Sequence, residues 1–295
     1  MRINKKSIII VVSCYVIWGI HPAYWNLLIG VNSMFILCTR IIFALAFTVA
    51  LLFFTGRMDA LKKILKDKMT MRYLIPSAVI ITLNWGVFIW AVNAGHVLDC
   101  SLGYFISPLA SFLLGVIVFK EKYTSLQLAA AVLAFTGLLI SVITFGSFPY
   151  VSLFIATSFA AYGVIKKKAA ADALAGIATE TLITSPVMLV IAIVFLNDSI
   201  RALNITDLLL LIFGGAVTAA PLILYSRSVN DIPFNIVGFF QYISPSLQLI
   251  YGIISGERPS APQFVSFIFI GLALIVFSIA LTRAARMEKT AAYRK

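Results

Sequence analysis

A few ionisable residues stand inside long apolar stretches, and these are the positions that could do chemistry. Arg40 lies seven residues into one stretch, about 10 Å along it if the segment is helical. His21 precedes Pro22 in another stretch, where the proline removes a backbone donor and frees a carbonyl. Charged groups are costly in an apolar medium, so each is a candidate for solute binding or proton transfer.

Two roles stay open for each of these residues. Arg40 can anchor an anion or carboxylate in a cavity, or it can be a structural arginine bonded to carbonyls or to Asp99. His21 can bind a solute or carry a proton, or it can be a hydrogen-bonded residue at a simple kink. Lys166 most simply signals orientation and could also touch the inner mouth of a cavity. The carboxylates are all expected near the ends of apolar segments, namely at Asp99, Glu121, Glu180, Asp207, Asp231 and Glu257.

Metal, redox and nucleotide chemistry have no support in the sequence. Cys14, Cys38 and Cys100 lie in or beside apolar stretches without metal-type spacing, and we interpret them as small apolar fillers. No CxxC, HExxH or GxxxxGK[ST] pattern occurs. We therefore expect no cofactor and no enzymatic activity.

The composition requires lipid as the solvent. Hydrophobic residues make up 61% of the chain and charged residues 12%, about half the charged share of a soluble domain. The net charge of +12 could suggest nucleic acid, but the basic residues form short clusters between apolar runs. This pattern is typical of cytoplasmic loops, so the expected partners are membrane lipid and a small solute, with no nucleic acid and a homodimer left open.

Ten apolar segments are candidates for membrane-spanning helices, at about 20 residues per crossing. They are Ser7–Leu28, Met34–Phe54, Tyr73–Val92, Leu98–Phe119, Leu126–Phe145, Tyr150–Ile165, Thr181–Leu196, Asp207–Tyr225, Phe234–Ile254 and Ala261–Leu281. With both termini in the cytoplasm, the inner side receives all of the 23 Lys and Arg residues except Arg40, Arg201 and Arg258. This bias favours ten spans and cytoplasmic termini.

The two halves of the chain resemble each other. An offset of 137 residues sets Ile106-Ser107-Pro108 on Ile243-Ser244-Pro245 and Gly115 on Gly252. Five spans per half is an odd number, so the halves must lie in opposite orientations, an arrangement that secondary transporters use around a midplane site. The predicted fold is an all-α polytopic membrane protein of two inverted five-helix repeats, at 1–145 and 149–283, followed by a short basic cytoplasmic tail at 284–295.

The chain resembles the drug/metabolite transporter superfamily in its EamA-type, ten-helix form, and within it the RarD group of bacterial permeases. The likeness is carried by Asn84-Trp85, by the stretches 88–93 and 101–109, and by Gly115 with Lys120-Glu121. Trp18-Gly19 and Arg40 also resemble that group. The resemblance implies a permease of the bacterial inner membrane with a central cavity between the halves.

The third and fourth spans and their repeat partners are rich in amphipathic side chains, which suit an organic solute. The candidate substrate-binding residues are Trp18, His21, Arg40, Asn84, Trp85, Trp90, Asn93, Ser101, Tyr104, Ser107, Tyr162, Tyr225, Gln241, Tyr242 and Ser244. An interfacial aromatic belt is the competing interpretation of Trp90 and Tyr104. The predicted function is a secondary permease or exporter for a small organic solute (amino acid, metabolite or drug-like molecule), with a membrane sensor, accessory protein or intramembrane enzyme as the alternative.

Overall fold

The chain folds into helices joined by short connections. The computed structural model describes residues 5–94, 97–145, 149–254 and 261–293, and none of these residues lies in a strand. A short 3-10 turn at Asn26–Leu28 follows the first helix. The helices are α1 (Lys5–Trp25), α2 (Ser33–Phe54), α3 (Met58–Lys66), α4 (Lys68–Asn93), α5 (Val97–Phe119), α6 (Ser125–Phe145), α7 (Tyr150–Ala169), α8 (Ala173–Phe195), α9 (Asn197–Arg201), α10 (Ile205–Asp231), α11 (Phe234–Phe240), α12 (Ile243–Ile254) and α13 (Ala261–Tyr293).

Several helices are long and apolar enough to cross a membrane. Among the described residues there are seven such segments, and two shorter apolar helices cover Ser125–Ile140 and Ile268–Arg283. Large apolar side chains face outward on these helices, and Phe54 and Phe195 are more than 70% exposed. Such a surface belongs in lipid, so the protein is a multi-pass membrane protein.

Polar caps define where several helices begin. The Asn32 side chain accepts hydrogen bonds from the amides of Met34 and Phe35 at the start of α2, at 2.9 and 3.1 Å. The Asp172 side chain accepts from the amide of Ala175 at 3.0 Å and starts α8. Such caps satisfy amides that have no partner within the helix.

The structure changes the predicted seventh and ninth spans. Helix α8 begins at Ala173 rather than Thr181, so Glu180 is a buried residue about 10 Å into a helix, and the expectation that every carboxylate lies near a span end was wrong. The ninth span is broken into α11 and α12. Pro245 has no amide hydrogen to donate to the carbonyl of Gln241, four residues earlier, and the chain turns there.

The remaining differences concern amphipathic and terminal segments. Helix α3 was missed, because its apolar residues Leu61 and Ile64 occupy one face between charged residues. The backbone of α13 continues to Tyr293, so residues 284–293, predicted as a tail, extend the last helix. Helix α7 continues past Ile165 to Ala169, where Ala170 adopts a left-handed conformation that ends it.

The most extensive helix pairs join the first half of the chain to the second. Helix α6 packs against α13, α5 against α7 and α11, α2 against α8 and α10, and α1 against α10 and α12. At Gly238 in α11, an added Cβ would lie 2.8 Å from the carbonyl oxygen of Pro108 in α5. Only glycine permits that approach of the two helices. The interior of the protein is therefore the interface between the halves.

Candidate functional site

A cavity of about 500 Å³ lies between the two halves. Side chains from α1, α2, α4, α5, α7 and the α11–α12 break line it. The connection between α1 and α2 lines one end, where Ile29 is 83% exposed, so the cavity reaches the surface there. Its size and its mixture of aromatic and polar side chains are typical of a small-molecule site.

The structure brings most of the predicted site residues to this cavity. Those that line it are Trp18, His21, Arg40, Asn84, Trp85, Tyr104, Ser107, Gln241 and Ser244. Tyr162, Tyr225 and Tyr242 are buried behind the lining rather than in it. Trp90 is 50% exposed and does not line the cavity, and the side chains of Asn93 and Ser101 lie outside the described residues.

Arg40 is held between two indole rings. Its guanidinium carbon lies 4.3 Å from the centre of the Trp85 ring and 5.1 Å from that of Trp25. Its Nε donates a hydrogen bond to the Thr218 hydroxyl of α10 at 3.2 Å. Cation–π contacts of this kind stabilise a partly desolvated charge, so the structure fixes the guanidinium in the cavity wall. Among the described residues, the hydrogen-bond partner of Arg40 is this hydroxyl and not a carbonyl. The side chain of Asp99, the carboxylate named for a structural role of Arg40, lies outside the described residues.

His21 contacts the backbone of Val217, the residue before Thr218 in α10. Its Nε2 lies 3.1 Å from the carbonyl oxygen of Val217. A carbonyl can only accept, so Nε2 carries a hydrogen and Nδ1 is the nitrogen left for other partners. The His21 ring also meets the Trp25 ring edge-on at 6.1 Å. Neighbouring residues of α10 therefore position both ionisable groups of the cavity.

Five aromatic residues close the cavity at the end opposite the α1–α2 connection; we call Tyr15, Trp18, Phe159, Tyr162 and Tyr225 the aromatic floor. Trp18 lies 5.7 Å from Phe159 and 5.6 Å from Tyr225, centre to centre. The rings of Tyr162 and Tyr225 are stacked at 5.9 Å, and both side chains are fully buried. The floor combines residues of α1, α7 and α10, so it joins the two halves.

Some polar side chains of the lining connect helices, and others have no partner. Asn84 Nδ2 donates to the Ile155 carbonyl and the Ser158 hydroxyl of α7, both at 2.8 Å. Ser244 Oγ donates to the Tyr15 carbonyl of α1 at 2.7 Å. By contrast, Ser107 Oγ and Gln241 Oε1 are buried without a hydrogen-bond partner. Buried polar atoms normally find partners, so these two hydrogen-bonding groups are unsatisfied in this conformation.

Beyond the aromatic floor lies a buried ion pair. Lys166 Nζ lies 3.0 Å from Glu180 Oε1, and both side chains are at most 4% exposed. The Ser77 hydroxyl donates to the same oxygen, and the Tyr162 hydroxyl donates to Glu180 Oε2 at 3.2 Å. Side chains from α4, α7 and α8 thus converge on one carboxylate, away from the cavity lining.

A second group of contacts joins the segment after α5 to α7 and to the start of α11. The Glu121 carboxylate accepts the backbone amides of Phe234 and Asn235, both at 2.7 Å. Lys167 Nζ lies 3.3 Å from Glu121 and donates to the carbonyl oxygen of Ile232 at 2.8 Å. The sequence predicted Glu121 near the end of an apolar segment, and the structure shows that it caps a helix of the other half.

Comparison with known proteins decides the family. Residues 5–143 match the EamA-like transporter family. The RarD protein of Salmonella typhi is 38% identical over 278 residues, which cover 93% of this chain and 95% of that protein. An uncharacterized transporter of Bacillus subtilis, YojE, is 34% identical over 97% of this chain and 98% of its own. The chain belongs to the EamA-like transporter family. A crystal structure at 14% identity superposes with a TM-score of 0.72, covering 92% of this chain and 96% of its own, and shows the same fold.

Membership of the EamA-like transporters confirms the resemblance and excludes an enzyme. Proteins of this family are transporters, and this one is a multi-pass bacterial membrane protein. Among the described residues, no group of three His, Cys, Asp or Glu could hold a metal ion. Cys14, Cys38 and Cys100 are buried and form no disulfide, as expected of apolar fillers.

Sequence reasoning missed several residues of this EamA-like transporter. Trp25 was overlooked, although it lies one helical turn after His21 and therefore on the same face of α1. Lys166 and Glu180 were assigned to segment ends, because each interrupts an apolar run. The available signal of a buried pair was Glu180, the only charged residue between positions 173 and 195, which follows Lys166 by 14 positions.

Proposed function

We propose that the protein is a secondary permease that moves a small organic solute across the bacterial inner membrane by alternating access. The observation that carries this proposal is the cavity between the two halves, which reaches the surface at one end and is closed by the aromatic floor at the other. A solute-sized space that communicates with one side only is what alternating access requires of each of its end states.

Ten membrane crossings agree with the helices. The seven long apolar segments and the two shorter apolar helices account for nine. Helix α7, whose Lys166 is neutralised by Glu180, supplies the tenth. With ten crossings, both termini lie on the same side, and the distribution of Lys and Arg favours the cytoplasm.

The proposed inverted repeat agrees with where its matched residues lie. Ser107 of α5 and Ser244 of α12, equivalent under the 137-residue offset, both line the cavity. Phe88 and Tyr225 are also equivalent under this offset. Phe88 lines the cavity, and Tyr225 belongs to the aromatic floor. Two matched halves around one site are the arrangement that lets either side of it open.

In this orientation the structure is an outward-open state. The α1–α2 connection lies outside, and the contacts of Glu121 and Lys167 lie on the cytoplasmic side of the aromatic floor. Arg57 of the α2–α3 connection also pairs with Asp172, which caps α8. Inward opening would require the floor and these contacts to separate.

Counterflow in proteoliposomes tests the proposal. Vesicles preloaded with an unlabelled solute should take up the labelled solute transiently above equilibrium, and initial rates should saturate. A pore would give neither saturation nor acceleration by solute on the far side. A sensor or accessory protein, the remaining alternative, would bind a solute without any flux above that of empty vesicles.

A further inference from the structure

Arg40 brings a positive charge to the cavity that no acidic side chain among the described residues balances. Its only hydrogen bond there is from Nε to Thr218, and Arg40 takes part in none of the ion pairs between described side chains, which do not include that of Asp99. A guanidinium has five N–H donors, so the four on its two terminal nitrogens are left for a partner. An ionised group that is partly removed from water and unpaired is costly, and the Trp25 and Trp85 rings compensate only part of that cost.

The rest of the lining offers a cation no negative charge. Its described residues include no aspartate or glutamate, and apart from the His21 imidazole the other side chains are aromatic, aliphatic, hydroxyl or amide groups. An ammonium group here would lose its hydration and meet a guanidinium instead of a carboxylate. The same argument applies to a zwitterion, whose carboxylate could bind Arg40 but whose ammonium would have no counter-charge.

The neutral part of the lining suits an apolar body with few polar groups. Trp18, Phe88 and Phe159 present aromatic surface, and Ser107 Oγ and Gln241 Oε1 are buried polar atoms that lack a partner. These rings would pack against the apolar body of a solute, which suits a molecule with few polar groups.

From these features we infer that the cavity selects organic monoanions, with a carboxylate bound by Arg40 and an aromatic or apolar body on the surrounding rings. Arginine favours carboxylates because its planar fork donates two parallel hydrogen bonds. The inference rests on the proposed permease function, and it narrows the solute from any small organic molecule to anions, excluding cations and zwitterionic amino acids.

Four probes with a common phenyl body but different charges test this inference. They are 3-phenylpropionate, 3-phenylpropanamide, 3-phenylpropylamine and phenylalanine, an anion, a neutral compound, a cation and a zwitterion. Binding to the purified protein in detergent is followed by tryptophan fluorescence, since Trp18, Trp25 and Trp85 line the cavity. The carboxylate should bind roughly ten- to a hundredfold more tightly than the amide, because hydrogen bonds between charged partners are the strong ones.

Variants assign that preference to Arg40. Arg40→Gln should weaken carboxylate binding to the level of the amide while leaving amide binding in place. Arg40→Lys keeps the charge but loses the fork, and should retain only part of the preference. The matched control is Arg201→Gln, which removes an exposed positive charge outside the cavity and should keep the full preference.

Uptake of the same probes separates this inference from the proposed function. Carboxylate-selective binding that depends on Arg40, without flux into proteoliposomes, would support the anion site and contradict the permease. Saturable flux of the amine or of phenylalanine in preference to the carboxylate would support the permease and overturn the anion site. Equal binding of carboxylate and amide, no binding of any probe, or a preference that survives Arg40→Gln would overturn it as well.

Discussion

The guanidinium of Arg40 lies 4.3 Å from the centre of the Trp85 ring, so a cation from α2 rests on an aromatic face from α4. Trp25 contacts the same guanidinium from α1. Three helices of the first half thereby position one charged group, and Thr218 of the second half completes the arrangement. A solute that binds Arg40 would therefore interact with a group whose position depends on both halves.

Removing the Trp85 ring should weaken solute binding. Cation–π contacts of a partly desolvated arginine contribute up to about 2 kcal/mol, and 1.4 kcal/mol corresponds to tenfold in affinity. We expect Trp85→Leu to raise the KM for uptake about tenfold, and Trp85→Phe to raise it less, because phenylalanine keeps a smaller aromatic face. Initial rates of uptake into proteoliposomes measure this.

Trp90 provides the comparison, since it is on the same helix but half-exposed and outside the cavity. Trp90→Leu should leave the KM within about twofold of the wild type. An equal rise in KM for Trp90→Leu and Trp85→Leu would mean that the solute contacts α4 well beyond the cavity.

Trp85 and Trp90 also show which features of α4 can be predicted from the sequence and which cannot. An apolar segment with Asn84, Trp85 and Trp90 predicts a membrane helix that carries amphipathic side chains, and the helix is there. Trp85 and Trp90 are five positions apart, so they point in directions about 140° apart around the helix. Only the packing of α4 against α7 and α8 decides which of the two faces the interior, and the sequence of one helix does not contain that information.

Glu180 marks a second limit of the sequence. A hydropathy scale gives glutamate and lysine an unfavourable value at every position. For this reason the predicted span began at Thr181, and the preceding predicted span ended at Ile165. In the fold, Lys166 and Glu180 neutralise each other and the hydroxyls of Ser77 and Tyr162 satisfy the carboxylate. The free-energy cost of burying each charged residue alone is largely offset by its neighbour on another helix.

Breaking the Lys166–Glu180 pair should destabilise the protein strongly. Lys166→Met leaves a buried carboxylate without its cation, and loss of one partner of such a pair typically costs about 3–5 kcal/mol. The double variant Lys166→Met/Glu180→Gln leaves no uncompensated charge, and we expect it to recover most of the loss. Thermal unfolding in detergent, compared across both single variants and the double variant, measures the coupling.

The exposed pair of Lys62 and Asp59 provides the control for that comparison. Its side chains are 65% and 92% exposed, so Lys62→Met should change stability by less than about 0.5 kcal/mol. A double variant that is no more stable than Lys166→Met alone would contradict the interpretation of the pair as mutually neutralising.

The Glu121 carboxylate should stabilise the start of α11. Glu121→Gln keeps the shape of the side chain, but an amide nitrogen cannot accept the second backbone N–H, and the ion pair with Lys167 is lost. We expect a loss of about 1.5–3 kcal/mol, as for hydrogen bonds to a charged group. Hydrogen–deuterium exchange should accelerate at the amides of Phe234 and Asn235.

The neighbouring Lys122→Gln variant, with an exposed side chain, should leave that exchange unchanged. If these amides exchanged at the wild-type rate in Glu121→Gln, the two hydrogen bonds of Glu121 would contribute little to holding the start of α11 against the segment after α5.

A methyl group at Gly163 should disturb the aromatic floor. A Cβ there would overlap the Tyr225 hydroxyl and lie 2.6 Å from the Phe234 ring, so α7 or both rings must shift. Overpacking of this kind costs about 1–3 kcal/mol, and we expect Gly163→Ala to lower both the thermal stability and the rate of transport.

Gly271→Ala is the matched control, because a Cβ at that position in α13 meets no atom within 4 Å. That variant should be as stable as the wild type or more so by up to about 1 kcal/mol, since alanine favours helix. Equal stability of the two variants would mean that the floor can relax around an added methyl, and it would argue against a closely packed barrier at the end of the cavity.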